Sequence, residues 1–190
     1  MIQHVAEIDL VRLAKEGNRS AMREIYDRHI RYLTAVASRY VGEDILRDVL
    51  QESFVKIFTS ISRFEYRGPG SLRAWLARIV VNTALDSLNK SVNFSTLSPL
   101  ENIPQDDEDP PTDDIDIEVI HNIIRSLPIG YRTVFNLYVF EEQSHREIAS
   151  RLGITENTSA SQLHRAKAML AQKIKEYKQQ NMTRYEQAME

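Results

Sequence analysis

Two short helices joined by a glycine turn are predicted between Ser144 and Leu170, and this segment constrains the fold most. Ser144 and Glu147 match a capping box, in which a hydroxyl and a carboxylate satisfy the free backbone N–H groups at a helix start. Gly153 suits the left-handed conformation that ends this helix, and Thr155 suits the N-cap of the next. The pattern predicts a helix-turn-helix. An ordinary helical hairpin with a solvated polar face would have the same outline.

The second helix of this pair combines an apolar stripe with small or hydrogen-bonding side chains that suit base edges and phosphates. The stripe consists of Leu163, Ala166 and Leu170. The other positions are Asn157, Ser159, Ala160, Ser161, Gln162, His164 and Arg165. Two further helices, with apolar residues at helical spacing across 117–124 and 127–138, precede the pair. Four helices therefore form one small module.

The charge of the chain is divided unevenly along its length. The whole chain has a net charge of −3, but residues 1–90 hold 14 Lys+Arg against 11 Asp+Glu, a net +3. Residues 91–118 hold 9 carboxylates and no basic residue, and residues 119–190 hold 10 Lys+Arg against 7 Asp+Glu. Two mildly basic blocks therefore flank an acidic connector, so the overall acidity does not argue against a nucleic-acid partner.

This sequence lacks the signals that are typical of several other classes of protein. The chain has no cysteine, so neither a disulfide framework nor a thiolate metal site is predicted. Its five histidines share no ligand spacing, and no Ser/His/Asp grouping or phosphate-binding glycine loop is present. No apolar run approaches the roughly 20 residues that span a bilayer, and the start MIQHVAEIDL does not resemble a secretion signal. We therefore expect a cytoplasmic protein that is not an enzyme and has no metal, cofactor or small-molecule substrate.

One acidic helix face stands out in the N-terminal part. Amphipathic patterns predict helices across 8–15, 18–40, 44–61 and 71–90, with Asn18 as the N-cap of the second and Ser71 as the N-cap of the fourth. In the third of these, Asp48, Gln51 and Glu52 share the face opposite to the apolar residues. This face is either simply solvated or a partner-binding surface.

The stretch between the third and fourth helices has the composition of a loop. Three breakers lie in its nine residues, Ser62–Gly70, together with Arg63, Phe64, Tyr66 and Arg67. Arginines that meet phosphates and rings that hold an unstacked base are the chemistry of single-stranded DNA binding. The alternative is a plain connector whose rings pack on the core.

The fourth helix carries a polar stripe with two interpretations. Trp75 is predicted to be a core anchor, on the apolar side of the helix. The stripe recurs every four residues and consists of Arg78, Asn82, Asp86 and Lys90. It is typical either of surface ion pairs worth a few tenths of a kcal/mol or of a face that contacts DNA.

Taken together, these segments resemble the extracytoplasmic-function (ECF) sigma factors of bacterial RNA polymerase, over roughly residues 7–175. The run RSLPIGYRTVFNLYVFEEQSHREIASRLGI, followed by TSASQLHRAKAML, is similar to the promoter-binding C-terminal domain of that family. The runs DVLQESFVKIF and WLARIVVNTALD are similar to segments of its N-terminal domain. The resemblance implies an all-α fold: two small helical domains joined by a flexible acidic linker, with the helix-turn-helix in the second. The expected boundaries are 1–90 for the first domain, 91–116 for the linker, 117–178 for the second domain and 179–190 for a polar tail.

The resemblance also implies a role for each candidate site. Asp48, Gln51 and Glu52 would dock on a basic coiled coil of core RNA polymerase. The loop and the fourth helix would capture a flipped base and hold the melted strand of the minus-ten element, through Arg63, Phe64, Tyr66, Arg67, Arg78, Asn82 and Asp86. An aspartate that faces DNA makes sense as an acceptor for an exposed cytosine amine. The minus-thirty-five duplex would be read by Ala160, Ser161, Gln162, His164 and Arg165.

A sigma factor is therefore the implied function: the chain would bind core RNA polymerase and direct promoter recognition, DNA melting and transcription initiation, while the polymerase performs the chemistry. The implied partners are core RNA polymerase, promoter DNA as duplex and melted single strand, and an anti-sigma factor, often membrane-anchored. The first alternative is a helix-turn-helix regulator that binds DNA without docking on polymerase. The second is a metal-dependent hydrolase built on the acidic run 106–114, which its prolines disfavour because a catalytic metal needs a rigid site. We further hypothesise that the acidic linker competes with DNA in the free protein.

Overall fold

The computed structural model describes residues 6–92, 94 and 115–188. Throughout these residues the regular secondary structure is helical, which confirms the all-α prediction. The chain divides into two compact units, Met1–Ser91 and Val92–Glu190. Apart from its ends, the predicted acidic linker lies outside the described residues. The hypothesis that it competes with DNA depends on those residues and therefore stays a prediction.

In the N-terminal unit, residues 6–91 form four α-helices and one 3-10 turn. They are α1 (Glu7–Lys15), α2 (Arg19–Ser38), α3 (Glu43–Ser60), the turn Ile61–Arg63 and α4 (Ser71–Ser91). Helices α2, α3 and α4 pack against one another, and α1 packs on α2. Asn18 is the predicted N-cap of α2, and its Oδ1 accepts a hydrogen bond of 3.0 Å from the N–H of Ala21.

The core of this unit comes from one apolar stripe on each packed helix. Ile25 and Leu33 of α2, Ile57 of α3, and Leu76 and Val80 of α4 are all fully buried. Burying a side chain of this size contributes about 1.5–3 kcal/mol, so these stripes hold the three helices at fixed positions. The polar faces of α3 and α4 are consequently turned outward.

Ser71 has a different role from the N-cap of α4 that its sequence position suggested. It is the first residue of α4 itself, and its hydroxyl donates to the Gly68 carbonyl at 2.7 Å and accepts from the Arg67 N–H at 3.2 Å. Gly68 and Gly70 have φ angles of 114° and 85°, a region that favours glycine. Ser71 therefore closes the preceding loop, because the chain turns back on itself there and brings these backbone groups within reach of a short side chain.

In the C-terminal unit, residues 115–188 form four α-helices. They are α5 (Ile117–Arg125), α6 (Ile129–Val139), α7 (His145–Leu152) and α8 (Glu156–Ala188). Helix α8 packs against α5, α6 and α7. A buried cluster joins α8 to α5 and α6 and consists of Ile124, Leu127, Tyr131, Ala166 and Leu170. Helix α8 continues past residue 178, so the predicted polar tail begins as part of this helix.

The predicted helix-turn-helix is formed by α7, α8 and the turn between them. The capping box is present: the Ser144 N–H donates to Glu147 Oε2 at 2.8 Å, and the Glu147 N–H donates to Ser144 Oγ at 3.3 Å. Gly153 ends α7 with a φ of 67°, and Thr155 caps α8 by accepting from the Thr158 N–H at 3.0 Å. The predicted capping box, glycine turn and second N-cap are therefore all present.

The stability of the N-terminal unit should depend on pH through His29, which is half-buried on α2. Burial, and then the charges of Arg73 and Arg28, lower the pKa of His29 below its ordinary value of 6.5. As the pH falls, His29 is protonated in the unfolded chain before it is protonated in the folded chain. The full stability is therefore present above about pH 6.5 and is lost as the pH falls toward the folded-state pKa of His29. Lowering the pH from about 7.5 to about 5.5 should therefore reduce the melting temperature of the native chain more than that of His29→Gln. Equal reductions in both proteins would contradict this expectation.

Candidate functional sites

The first candidate site is the docking face, formed by Asp48, Gln51 and Glu52 on α3. All three side chains are exposed and lie together, as their i, i+3 and i+4 spacing predicts. Glu52 Oε1 lies 2.9 Å from Lys56 Nζ, one turn further along the helix. This hydrogen bond lowers the pKa of Glu52 and raises the pKa of Lys56, so both groups remain charged at neutral pH. The docking face is therefore an ionised, solvent-accessible surface.

An open apolar groove of about 710 Å³ lies beside the docking face, between α2 and α3. Gln51 forms part of its wall, and Val55 and Tyr26 leave 60% and 40% of their surface exposed there. The remaining apolar wall consists of Ile30, Leu46, Leu50, Phe54 and Phe58. Sequence reasoning missed this groove, although Val55, an apolar residue on the polar side of α3, was a signal. A contiguous exposed apolar surface of this kind is typical of an interaction site.

Lys56 connects the docking face to α4. Its Nζ lies 2.9 Å from Glu52 Oε1 and 3.4 Å from Asp86 Oδ2. Asp86 is exposed, and among the described residues it pairs with Lys56 of α3 rather than with a lysine or arginine of its own helix. Along the same polar stripe, Arg78 is exposed and Asn82 is half-buried. The docking face and the polar stripe of α4 were predicted as separate sites, but the Lys56 ammonium group contacts a carboxylate of each.

The loop Ser62–Gly70 divides its predicted DNA-contacting residues between solvent and core. Arg63 and Arg67 are exposed, and Tyr66 is half-buried. Phe64 is only 5% exposed, and its ring packs against that of Trp75 with a centroid distance of 4.9 Å. This burial corrects the prediction that Phe64 contacts DNA. The alternative holds for this residue, in which a ring of the loop packs on the core, because Trp75 offers an apolar surface next to the loop.

The recognition face is the exposed side of the first turns of α8. Ala160, Ser161 and His164 are exposed there, and Arg165 is half-buried. Asn157 is exposed one turn earlier and extends this face toward the start of α8. These side chains share one side of the helix, so the structure keeps them available together for a duplex.

Gln162 faces the interior instead, which corrects its predicted contact with the duplex, and Ser159 faces the interior with it. Ser159 is fully buried, and its Oγ lies 3.0 Å from Nδ1 of His145 on α7. Gln162 is 4% exposed, and its Oε1 has no hydrogen-bond partner within the described residues. The reason is helical periodicity: positions 159 and 162 belong to the same i, i+3, i+4, i+7 stripe as Leu163 and Ala166, which packs into the module.

Replacing Gln162 by methionine should raise the free energy of unfolding of the C-terminal unit by roughly 1 kcal/mol. A buried amide oxygen without a partner costs about 1–3 kcal/mol, and methionine fills a similar volume without that cost. Urea unfolding of Gln162→Met and of the control Gln172→Met tests this, because Gln172 is exposed and donates to Glu176 at 2.9 Å. Duplex affinity should stay unchanged in Gln162→Met. A loss of duplex binding without a gain in stability would show that Gln162 faces DNA after all.

The part of the chain that the structure describes contains neither a membrane-spanning helix nor a cluster of metal ligands. No helix there combines the length and the hydropathy needed to cross a bilayer. No group of three His, Asp or Glu side chains is placed there to hold a metal ion. The acidic run 106–114, on which the hydrolase alternative depends, lies outside the described residues.

A helical unit with an exposed acidic face, followed by a unit with a helix-turn-helix, is typical of modular DNA-binding transcription proteins. Comparison with protein families agrees with this class in both units. The family described as Sigma-70 region 2 matches residues 25–93, which include the docking face, the loop and α4. The family described as Sigma-70, region 4 matches residues 117–170, which include the helix-turn-helix.

The chain belongs to the sigma-70 family and, within it, to the ECF sigma factors. The ECF RNA polymerase sigma-E factor of Haemophilus influenzae is 26% identical over 188 residues, which cover 92% of this chain and 98% of that relative. The same factor of Escherichia coli is 25% identical, covering 92% and 97%. A solved structure, CnrH in complex with the cytosolic domain of CnrY, has a TM-score of 0.47 and 24% identity, over 87% of this chain and 95% of that one. The chain is thus an RNA polymerase sigma factor, a DNA-binding factor of transcription initiation.

Proposed function

We propose that this sigma factor binds core RNA polymerase through the docking face and directs it to promoters, where it also takes part in melting the DNA. The observation that carries the proposal is the position of the exposed carboxylates Asp48 and Glu52 next to the open apolar groove. A basic, amphipathic helical partner fits both features. Its lysines and arginines would meet the carboxylates, and its apolar side chains would fill the groove. The coiled coil of polymerase that the family resemblance implies is a partner of this chemistry.

The minus-ten element would be held by the loop and α4. Arg63 and Arg67 are exposed and available for phosphates, although Arg67 also lies 3.2 Å from Glu65. Asp86 would accept from a cytosine amine, for which it would leave its 3.4 Å contact with Lys56. An exposed ion pair is worth about 0–1 kcal/mol, so this exchange costs little.

The minus-thirty-five duplex would be read by the recognition face of α8. Insertion of this helix into the major groove brings Ser161, His164 and Arg165 toward base edges and phosphates, as in other helix-turn-helix proteins. Ala160 leaves room for close approach or contacts a thymine methyl group. Gln162 has no direct part in this contact, because its side chain is buried.

An anti-sigma factor, membrane-anchored in many members of the family, completes the proposed set of partners. The support for it is family membership together with the exposed apolar groove, which an inhibitory partner would need to cover in order to exclude polymerase.

Gel filtration with purified core RNA polymerase, followed by transcription from a mapped promoter, tests the proposed function. A sigma factor should elute bound to core and start transcription at one specific position. A chain that binds duplex DNA but elutes separately from core would instead be a helix-turn-helix regulator, which is the alternative function.

A further inference from the structure

Lys56 on α3 and Asp86 on α4 place a hydrogen-bond donor beside an acceptor where these two helices pack. Lys56 Nζ lies 3.4 Å from Asp86 Oδ2 and 2.9 Å from Glu52 Oε1. The side chain of Lys56 keeps 40% of its surface exposed, and that of Asp86 keeps 61%. The hydrogen bond to Glu52 raises the pKa of Lys56, so its Nζ stays protonated and acts only as a donor. An incoming group therefore meets one donor next to one acceptor, both of them accessible.

The polar stripe of α4 connects this pair to the melted strand of the proposed function. Asp86 follows Asn82 by four residues and Arg78 by eight, so the three side chains lie along one side of α4. A strand laid along the stripe reaches Asp86. Lys56 is then next to the same base, because its ammonium group already contacts the Asp86 carboxylate.

The Watson–Crick edge of an unpaired cytosine carries the complementary pattern. Its N4 amine is a donor, and the neighbouring ring atom N3 is an acceptor. When the amine replaces the Lys56 ammonium group at Asp86, Lys56 loses one carboxylate but keeps Glu52. N3 of the same base then offers the ammonium group a new acceptor, and O2 next to N3 offers another. The exchange therefore leaves neither Lys56 nor Asp86 without a hydrogen-bond partner.

We propose that Lys56 and Asp86 together read an unpaired cytosine of the melted strand, with Asp86 accepting from N4 and Lys56 donating to N3. The proposal rests on the proposed function, which brings the strand to Asp86, and it adds a second base-reading residue on α3. Thymine and guanine present a carbonyl oxygen where cytosine has its amine, so they place an acceptor against the Asp86 carboxylate. Adenine presents an amine next to N1 but has a C–H group where cytosine has O2. The expected order of preference is cytosine, then adenine, then thymine and guanine.

Fluorescence anisotropy of the full chain with a labelled oligothymidine of about 15 nucleotides tests this proposal. The central base is replaced in turn by cytosine, by a deazacytosine that has carbon in place of N3, and by a pyrimidinone that lacks the amine. Because thymine is disfavoured, the one replaced base sets the register of the strand. The native chain should bind the cytosine strand about tenfold more tightly than plain oligothymidine. Loss of N3 alone should weaken this binding about three- to fivefold.

Lys56→Met removes the donor, so it should abolish the difference in affinity between cytosine and deazacytosine. The difference between cytosine and pyrimidinone reports on Asp86 and should remain. Lys56→Arg keeps a donor and should preserve both differences. The matched control is Arg12→Met, because Arg12 also pairs with two carboxylates, Asp9 at 3.9 Å and Glu16 at 3.4 Å, but on α1. It removes the same charge and should leave every base preference unchanged.

The proposal would be overturned if the native chain bound no single strand or bound all of the strands equally. It would also be overturned if Lys56→Met still distinguished cytosine from deazacytosine, or if Arg12→Met lost that distinction as well. Thermal unfolding of each variant shows whether it is folded. Gel filtration of the native chain with core polymerase separates this proposal from the proposed function. A chain that binds core without preferring cytosine would refute the base-reading pair alone, and a chain that reads cytosine through Lys56 without binding core would refute the proposed function alone.

Discussion

Replacing Glu52 by lysine should weaken binding of this sigma factor to core RNA polymerase by several kcal/mol, which corresponds to a loss of more than about a hundredfold in affinity. The native carboxylate is held 2.9 Å from Lys56, and Lys90 is close enough to lower the pKa of Glu52 further. The substituted lysine would therefore stand beside two other cations and face a basic coiled coil. Affinity measured with immobilised core polymerase tests the expectation.

The matched control for this change is Glu16→Lys. Glu16 is likewise exposed and lies 3.4 Å from an arginine four residues earlier, Arg12, but it is on α1 and outside the docking face. Both variants therefore lose one helical ion pair and gain the same charge. Circular dichroism should show unchanged helicity in both, since an exposed pair of this kind contributes only about 0.3–0.5 kcal/mol. Equal affinities of Glu52→Lys and the native chain for core would refute the docking face.

Replacing Arg165 by alanine should weaken promoter binding in one of two distinguishable ways. If Arg165 binds a phosphate, affinity should fall on all duplexes alike, and the salt slope should decrease by about one. If it reads a guanine, the loss should be about 1–3 kcal/mol and confined to one base pair. Binding to a panel of single-base promoter variants at several salt concentrations separates these outcomes.

The control for Arg165→Ala is Arg125→Ala. Arg125 is an exposed arginine in the last turn of α5, in the same unit but outside the recognition face. Its removal subtracts the same charge and should leave sequence preference unchanged. If Arg165→Ala altered neither overall affinity nor preference, α8 would not lie in the major groove as proposed.

Predictions from the sequence succeeded where the deciding interactions are local. Ser144 with Glu147, the left-handed Gly153, and the caps Asn18 and Thr155 each act within three or four residues, so the sequence alone indicated them. Helical periodicity likewise placed the three residues of the docking face together, because their spacing is independent of the rest of the fold.

On α8 the same periodicity places positions 159 and 162 on the stripe of Leu163 and Ala166, but the polar character of Ser159 and Gln162 led to their assignment to the outer face. Ser159 and Gln162 are as polar as Ser161 and His164, yet the first two are buried. The partner of Ser159 is His145, fourteen residues earlier on another helix. Only the packing of α7 on α8 shows that a buried polar residue such as Ser159 has a partner there.

The amino-acid sequence by itself determined the helices, their caps, the helix-turn-helix and the separation of the acidic docking face from the apolar stripes. These features follow from hydrogen bonds and side-chain spacing within one or two turns. The tertiary structure alone decided that Phe64 packs on Trp75, that Lys56 also pairs with Asp86, and that the guanidinium of Arg73 lies over the Tyr32 ring. Each of these contacts joins side chains from different segments. Their physical cause is the burial of the apolar stripes, which sets the positions of α2, α3 and α4 and leaves the polar side chains to meet whatever lies opposite.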